Sequence, residues 1–137
     1  MCFKIYGGNY SGDCPLERED QKSFVEYVRK LYPQTHGALI VHVSNEGKRN
    51  YRQAAFLKGQ GQTKGASDII IPGNPAFVCE IKRNDKSKSR LSMDQYNYLK
   101  AASDAGCFAC VCYGFDEAIK AFSEWMRVNK LGGFDYK

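Results

Sequence analysis

Three charged residues occupy places where short apolar strands seldom carry charge. In KGASDIIIPGNPAFVCEIKR, residues 64–83, two apolar runs flank a Pro-Gly-Asn-Pro turn; Asp68 lies in the first run, Glu80 and Lys82 in the second. Side chains alternate along a strand, so Glu80 and Lys82 share one face, opposite Cys79 and Ile81, and Asp68 shares its face with Ile70. If Ile71 pairs with Phe77 across the loop 72–76, Asp68 falls opposite Glu80. Two carboxylates facing each other repel. Lys82 is near enough to help, but a divalent cation that prefers hard oxygen ligands fits the pair better. Such an ion lowers the pKa of a water and clamps a phosphoryl oxygen, while the Lys82 ammonium holds the nucleophile or neutralises developing charge. The alternative is an ordinary solvated face of an edge hairpin. Ile70 and Val78 share the charged face, which counts against that alternative.

These side chains need elements to position them. PLEREDQKSFVEYVRKLY, residues 15–32, has helical spacing of Leu16, Phe24, Tyr27, Val28 and Leu31; Pro15 suits the first helical position and Pro33 ends the run. GALIVHV, residues 37–43, is expected as a strand, SNEGKR as a polar turn, and NYRQAAFLKG as a short basic helix ending at Gly59. After the hairpin, NDKSKSR should be an exposed, mobile loop. LSMDQYNYLKAASDAG is a helix closed by Gly106, CFACVCYG a strand, and DEAIKAFSEWMRVN an amphipathic helix. The expected class is α/β, with a mixed sheet and a central hairpin flanked by helices.

With 137 residues, 43% of them hydrophobic, the chain suits one domain, residues 1–137, with a core over about 15–128. A net charge of +5 is compatible with a polyanionic partner without identifying one. The start, MCFKIYGGNYSGDC, has no apolar signal core, and no later run has the length of a membrane span, so a cytoplasmic protein with no membrane partner is expected. Cys107, Cys110 and Cys112 raise zinc as an option, but strand alternation separates Cys107 from Cys110, and buried small hydrophobes are the default. His36 and His42 are the only histidines, and His42, within an apolar run, reads as a core or near-site residue rather than a ligand. No Ser-His-Asp or Cys-His set assembles, and GQGQTKG lacks the glycine-lysine-hydroxyl ending of a phosphate-binding loop.

The pattern of a strand-borne Asp, a turn and E-x-K, here SD-x11-EIK, resembles the PD-(D/E)XK nuclease superfamily. The resemblance extends to its VRR-NUC family over residues 16–126: E-x-E-D-Q in the first helix, SNEGKR, AFLKGQGQTKGASDIIIP, VCEIKR, LSMDQYNYL and GCFACVCYGFDEAI follow that family's order. It implies a restriction-endonuclease-like core, Asp68 and Glu80 as ligands of Mg²⁺ or Mn²⁺ with the backbone carbonyl of Ile81, and Lys82 as the catalytic lysine. The family's helix-borne glutamate matches Glu17, also a metal ligand, directly or through water, and the helical wheel puts Glu17 on the inward face, with Asp20 next to it. An acidic first turn favoured by the helix dipole is the alternative for both. Gln95 matches the family's catalytic glutamine, although Ser92 and Gln95 also make an S-x-x-Q capping box. The family often has proline before the hairpin aspartate; this chain has Ser67.

Asn45, Lys48, Arg49, Arg52, Lys58 and Lys64 precede the hairpin, and Arg83, Lys86, Lys88 and Arg90 follow it. They are candidates for phosphate contacts, which position DNA without reading bases, or else a solvated surface. Tyr51, Tyr96 and Tyr98 could stack on unpaired bases or sit at the core boundary. The resemblance, to small phage and bacterial members in particular, implies an endonuclease for branched DNA such as Holliday junctions, acting as a homodimer and leaving 5′-phosphate and 3′-hydroxyl ends. A flap or restriction-type nuclease, or a nucleic-acid-binding domain that does not cut, are the alternatives.

Overall fold

The computed structural model describes residues 3–43 and 51–129. Their elements run β1 (Lys4–Tyr6), α1 (Glu17–Leu31), α2 (His36–Leu39), β2 (Val41–His42), α3 (Tyr51–Gly59), β3 (Ile69–Ile71), β4 (Phe77–Lys82), a 3₁₀ turn (Lys86–Lys88), α4 (Met93–Asp104), β5 (Phe108–Tyr113) and α5 (Phe115–Val128). One sheet has the order β1-β5-β4-β3-β2. β2, β3 and β4 are antiparallel neighbours, whereas β4, β5 and β1 run parallel. Parallel β4 and β5 require a crossover, which α4 supplies.

Alternation divides the sheet into two faces. Ile69, Ile71, Phe77, Cys79, Ile81, Cys110 and Cys112 pack with Phe24 and Val28 of α1 and Phe122 and Trp125 of α5. Val78, Ala109 and Val111 pack on the other side with Leu99 of α4 and with Phe3. Trp125 ties the first layer to the hairpin, its Nε1 donating to the Pro75 carbonyl at 2.8 Å. This is the mixed α/β sheet with a central, helix-flanked hairpin that the sequence pattern implies.

Several elements differ from expectation. A strand not expected from the sequence precedes the first helix: Lys4, Ile5 and Tyr6 pair in parallel with Cys110, Val111 and Cys112. Residues 37–43 are not one strand; they form α2 and a two-residue β2. The cause is close packing at Gly37, where a Cβ would lie 2.6 Å from the Tyr32 carbonyl oxygen and 2.7 Å from the Arg29 Cα. Its amide donates to that same Tyr32 oxygen at 2.7 Å, so the chain turns back on α1 before it can extend. Helix α1 starts at Glu17, leaving Pro15 ahead of the N-cap, and Leu16 at that cap has no polar side chain. Glu19 Oε1 instead accepts the Leu16 amide at 3.0 Å, which meets one orphan donor of the helix start. Its inward face is Asp20, Gln21, Phe24 and Val28; Leu16 and Leu31 are exposed.

The basic loop after β4 is anchored, not loose. Asp85 is buried and accepts from the Gly12 amide at 3.0 Å, the Ser87 amide at 3.0 Å and the Ser87 hydroxyl at 2.7 Å. Those donors, the Ser87 hydroxyl first, hold the Asp85 carboxyl below its ordinary range. Among the described residues, no helix is long and apolar enough to cross a membrane.

Candidate active site

The hairpin register brings the charges together. Ile71 pairs with Phe77, Ile70 with Val78 and Ile69 with Cys79, so one further step places Asp68 opposite Glu80. The Asp68 carbonyl accepts from the Val43 amide at 2.7 Å, continuing the line of β2. Asp68 Oδ2 accepts from the Ile81 amide at 3.0 Å, which fixes the carboxylate against β4. Upstream, Gly65 has φ of +79° and its Cα lies so close to α4 that a Cβ would sit 2.5 Å from the Asp94 carbonyl carbon. Glycine therefore lets the chain pass over the start of α4 and enter β3 at Asp68.

Glu80 is only 1% exposed and its Oε1, buried, has no hydrogen-bond partner. Its Oε2 accepts from Gln95 Nε2 at 3.2 Å. Burial pushes the Glu80 carboxyl up to about 10, the hydrogen bond to Asp68 and the Asp68 charge push in the same direction, Lys82 opposes, and Glu17 adds to the rise. Two acceptor-only carboxylates can bond each other only with a proton or a cation between them. Hard oxygens, one of them buried without a donor, are the ligand set that Mg²⁺ or Mn²⁺ accepts. The residues present thus fit a divalent cation.

Lys82 shares the Glu80 face and is likewise buried. Its Nζ lies 3.7 Å from Glu17 Oε2, bringing the first turn of α1 to the hairpin. The same Glu17 oxygen accepts from the Ser89 hydroxyl. Asp20 turns elsewhere. It lines an open cleft of about 400 Å³ with Asn84, Asp116 and Glu117, and its buried Oδ2 has no hydrogen-bond partner. Burial raises the Asp20 pKa, Glu19 and Asp116 add to the rise, and Arg83 opposes it.

Gln95 caps its helix and also reaches the hairpin. Its Oε1 accepts from the Ser92 amide at 2.9 Å, its own amide donates to Ser92 Oγ at 3.1 Å, and its Nε2 reaches Glu80. The capping box therefore holds the side chain in the orientation that delivers its amide to the carboxylate. His42 lies on exposed β2 rather than in the core, with Nε2 3.3 Å from Oε1 of buried Gln21.

The basic residues are less uniform than their clustering implies. Arg52 and Lys58 are exposed on α3, and Lys86 and Arg90 are exposed after β4. Lys64 pairs with Asp94 at 3.3 Å. Lys88 Nζ donates to the Gly12 carbonyl at 3.0 Å. Arg83 donates to the carbonyls of Cys14 at 2.7 Å and Pro15 at 3.0 Å, clasping the segment before α1. Asn45, Lys48 and Arg49, with the Tyr51 side chain, lie outside the described residues. Tyr96 is 41% exposed and meets Phe3 edge-on, whereas Tyr98 packs against the α4 layer, so both sit at the core boundary.

Ser89 joins the constellation without a signal in the residue pattern, because its contact with Glu17 is distant in sequence. The D-x-S turn at Asp85 did carry a local signal for an anchored loop.

No protein-family model matches the chain, and no curated protein matches it. A solved structure described as a VRR_NUC domain protein aligns with 88% of this chain and 96% of its own at a TM-score of 0.70, with 20% sequence identity. At that identity the likeness establishes the architecture: this chain has a VRR-NUC fold.

Proposed function

We propose that this chain is an endodeoxyribonuclease that hydrolyses phosphodiester bonds with Mg²⁺ or Mn²⁺. One observation carries the proposal: Asp68, Glu80 and Lys82 meet on one face of a hairpin, with Glu17 approaching the lysine and Gln95 the glutamate. The VRR-NUC fold is consistent with it. Asp68 and Glu80 would hold the cation with the Ile81 carbonyl and with Glu17, directly or through water; when bound it supplies a water activated at neutral pH and charge neutralisation at the phosphate.

The chain's own groups do the remaining work. The Lys82 ammonium, buried beside the carboxylates, is positioned to hold the attacking water and to stabilise charge developing on the phosphate oxygens. Glu17, itself held by the Ser89 hydroxyl, restrains that lysine from the α1 side. Gln95 donates to Glu80 Oε2 and fixes the direction of its other oxygen. The exposed cations Arg52, Lys58, Lys86 and Arg90 are available for phosphate contacts that seat the strand. Hydrolysis leaves a 5′-phosphate and a 3′-hydroxyl.

The substrate we infer is branched DNA of the Holliday-junction kind, cut by a homodimer in the cytoplasm. This rests on the family resemblance of the sequence motifs. A panel of four-way junctions, flaps, splayed arms and plain duplexes, incubated with Mg²⁺ or Mn²⁺, tests it. Paired symmetric cuts confined to four-way junctions are expected. Equal cutting of plain duplex removes the junction assignment and leaves the nuclease; no cutting of any DNA with either metal removes both.

A further inference from the structure

We propose that Cys79, Cys110 and Cys112 form a binding site for a thiophilic closed-shell cation, Zn²⁺ or Cu⁺, on the sheet face opposite the carboxylates. The site comes from register. Cys79 and Cys110 are direct partners across the parallel β4–β5 pair, and Cys112, two residues on, faces the same way. The three Sγ atoms lie within 4.8 Å of one another, with Cys79 to Cys112 at 3.6 Å and Cys112 to Cys110 at 3.8 Å. A Zn–S bond of about 2.3 Å puts thiolate sulfurs about 3.8 Å apart in a tetrahedral site and about 4.0 Å apart in a trigonal one. Two of the three edges therefore already have ligand spacing.

Chemistry separates this site from the hairpin carboxylates. Cys79 is the residue before Glu80, and the two point to opposite faces of β4. Soft thiolates select Zn²⁺ and Cu⁺, while the oxygen set across the sheet suits Mg²⁺ and Mn²⁺. All three thiols are fully buried, so their weak hydrogen-bonding capacity is met only poorly by one another. A cation would replace those contacts with three bonds and clamp β4 to β5 behind Glu80 and Lys82. The polar neighbours of the site lie on β1: Lys4 pairs in register with Cys110, Tyr6 pairs with Cys112, and both side chains reach Glu124 Oε2, at 3.2 and 2.8 Å. The proposal does not depend on the nuclease assignment.

The full reduced chain is refolded from denaturant in separate arms with Zn²⁺, Cu⁺ and the spectroscopic probe Cd²⁺, then passed into buffer containing a weak chelator. Expected are one metal per chain, a thiolate-to-cadmium charge-transfer band, and a Tm rise of roughly 10 °C when free metal exceeds Kd by about 100-fold. The Zn²⁺ and Cu⁺ arms, compared under equal chelation, identify the preferred cation. Cys110→Ala should lose the band, while Cys14→Ser, Cys107→Ser and Asp68→Ala should keep it. Should Cys110→Ala fail to fold, alkylation of the wild type in a denaturant concentration that unfolds the metal-free chain, with mass-spectrometric mapping, decides: metal must protect Cys79, Cys110 and Cys112 together. Refolded wild type without bound metal, or protection confined to the other three cysteines, overturns the site and leaves three thiols in ordinary core contact.

Discussion

Replacing Glu80 by glutamine changes a proton-linked group while keeping its volume, and the consequence for stability can be worked from the structure. In the folded chain Glu80 is shifted from an ordinary 4.5 to about 10 by burial first and Asp68 next. In the unfolded chain the same carboxyl ionises near its ordinary value. Between those limits the metal-free folded state binds a proton that the unfolded state has released. Its contribution to stability is therefore complete below about pH 4.5 and declines as pH rises toward 10. One proton sets the limit at about 1.4 kcal/mol per pH unit, so between pH 6 and pH 8 the wild type should lose up to about 2.7 kcal/mol from this group. Glu80→Gln carries no such proton and should lack that component. Urea unfolding in chelator at several pH values, followed by the fluorescence of the single, fully buried Trp125, measures both proteins. Subtracting one from the other cancels His36, whose pKa burial lowers, and Asp20, whose pKa burial raises. Mn²⁺ should reverse the wild-type trend, because the ion competes with the proton, and should leave the variant unmoved. Equal pH slopes for the two proteins in chelator would refute the shared-proton description of Asp68 and Glu80.

Substitutions at four further positions test how the site is held and how it meets DNA. Gly37→Ala forces a methyl against the Tyr32 carbonyl and the Arg29 backbone and should cost about 1–3 kcal/mol in chemical denaturation. Gln95→Ala should cost about 1 kcal/mol through the lost capping contact and also slow cleavage, because it removes the donor to Glu80 Oε2. Arg83→Ala should lower stability by about 1–2 kcal/mol, since the guanidinium holds the Cys14 and Pro15 carbonyls, and leave the salt dependence of DNA binding unchanged. By contrast, Arg90→Ala should reduce the slope of log K against log salt by about 0.9, the release expected for one phosphate contact.

The hairpin was legible because its information is local. Alternation, a five-residue connection and the position of Ile71 and Phe77 are enough to put Asp68 across from Glu80, and the observed register follows that course. Helices α4 and α5 were legible for a similar reason, with Ser92 capping one and Gly114 preceding the other. What escaped depends on partners far along the chain. KIY has little strand character of its own, with Ile5 60% exposed, and becomes β1 by pairing with β5. Residues 37–43 look like a strand until α1 is present for Gly37 to pack against. The basic loop has a local turn signal at Asp85 and Ser87, but its anchor to the Gly12 amide is distant in sequence and needed the fold. In the site itself, Glu17 was suggested by the family resemblance with its helical face in support, but its approach to Lys82 and its Ser89 contact required the fold. Likewise, Cys79 joins Cys110 and Cys112 only through the β4–β5 register.

The central claim concerns Asp68, Glu80 and Lys82 acting together, and one measurement addresses it most directly: cleavage of DNA by the wild type, Asp68→Ala and Lys82→Ala, each with Mn²⁺ or with chelator, alongside their DNA affinities. The expected result is cleavage by wild type with Mn²⁺, none in chelator, loss in both variants of at least about 100-fold, and DNA binding largely retained. Cleavage that persists in chelator, or that survives in the two variants at wild-type rates, would contradict the account.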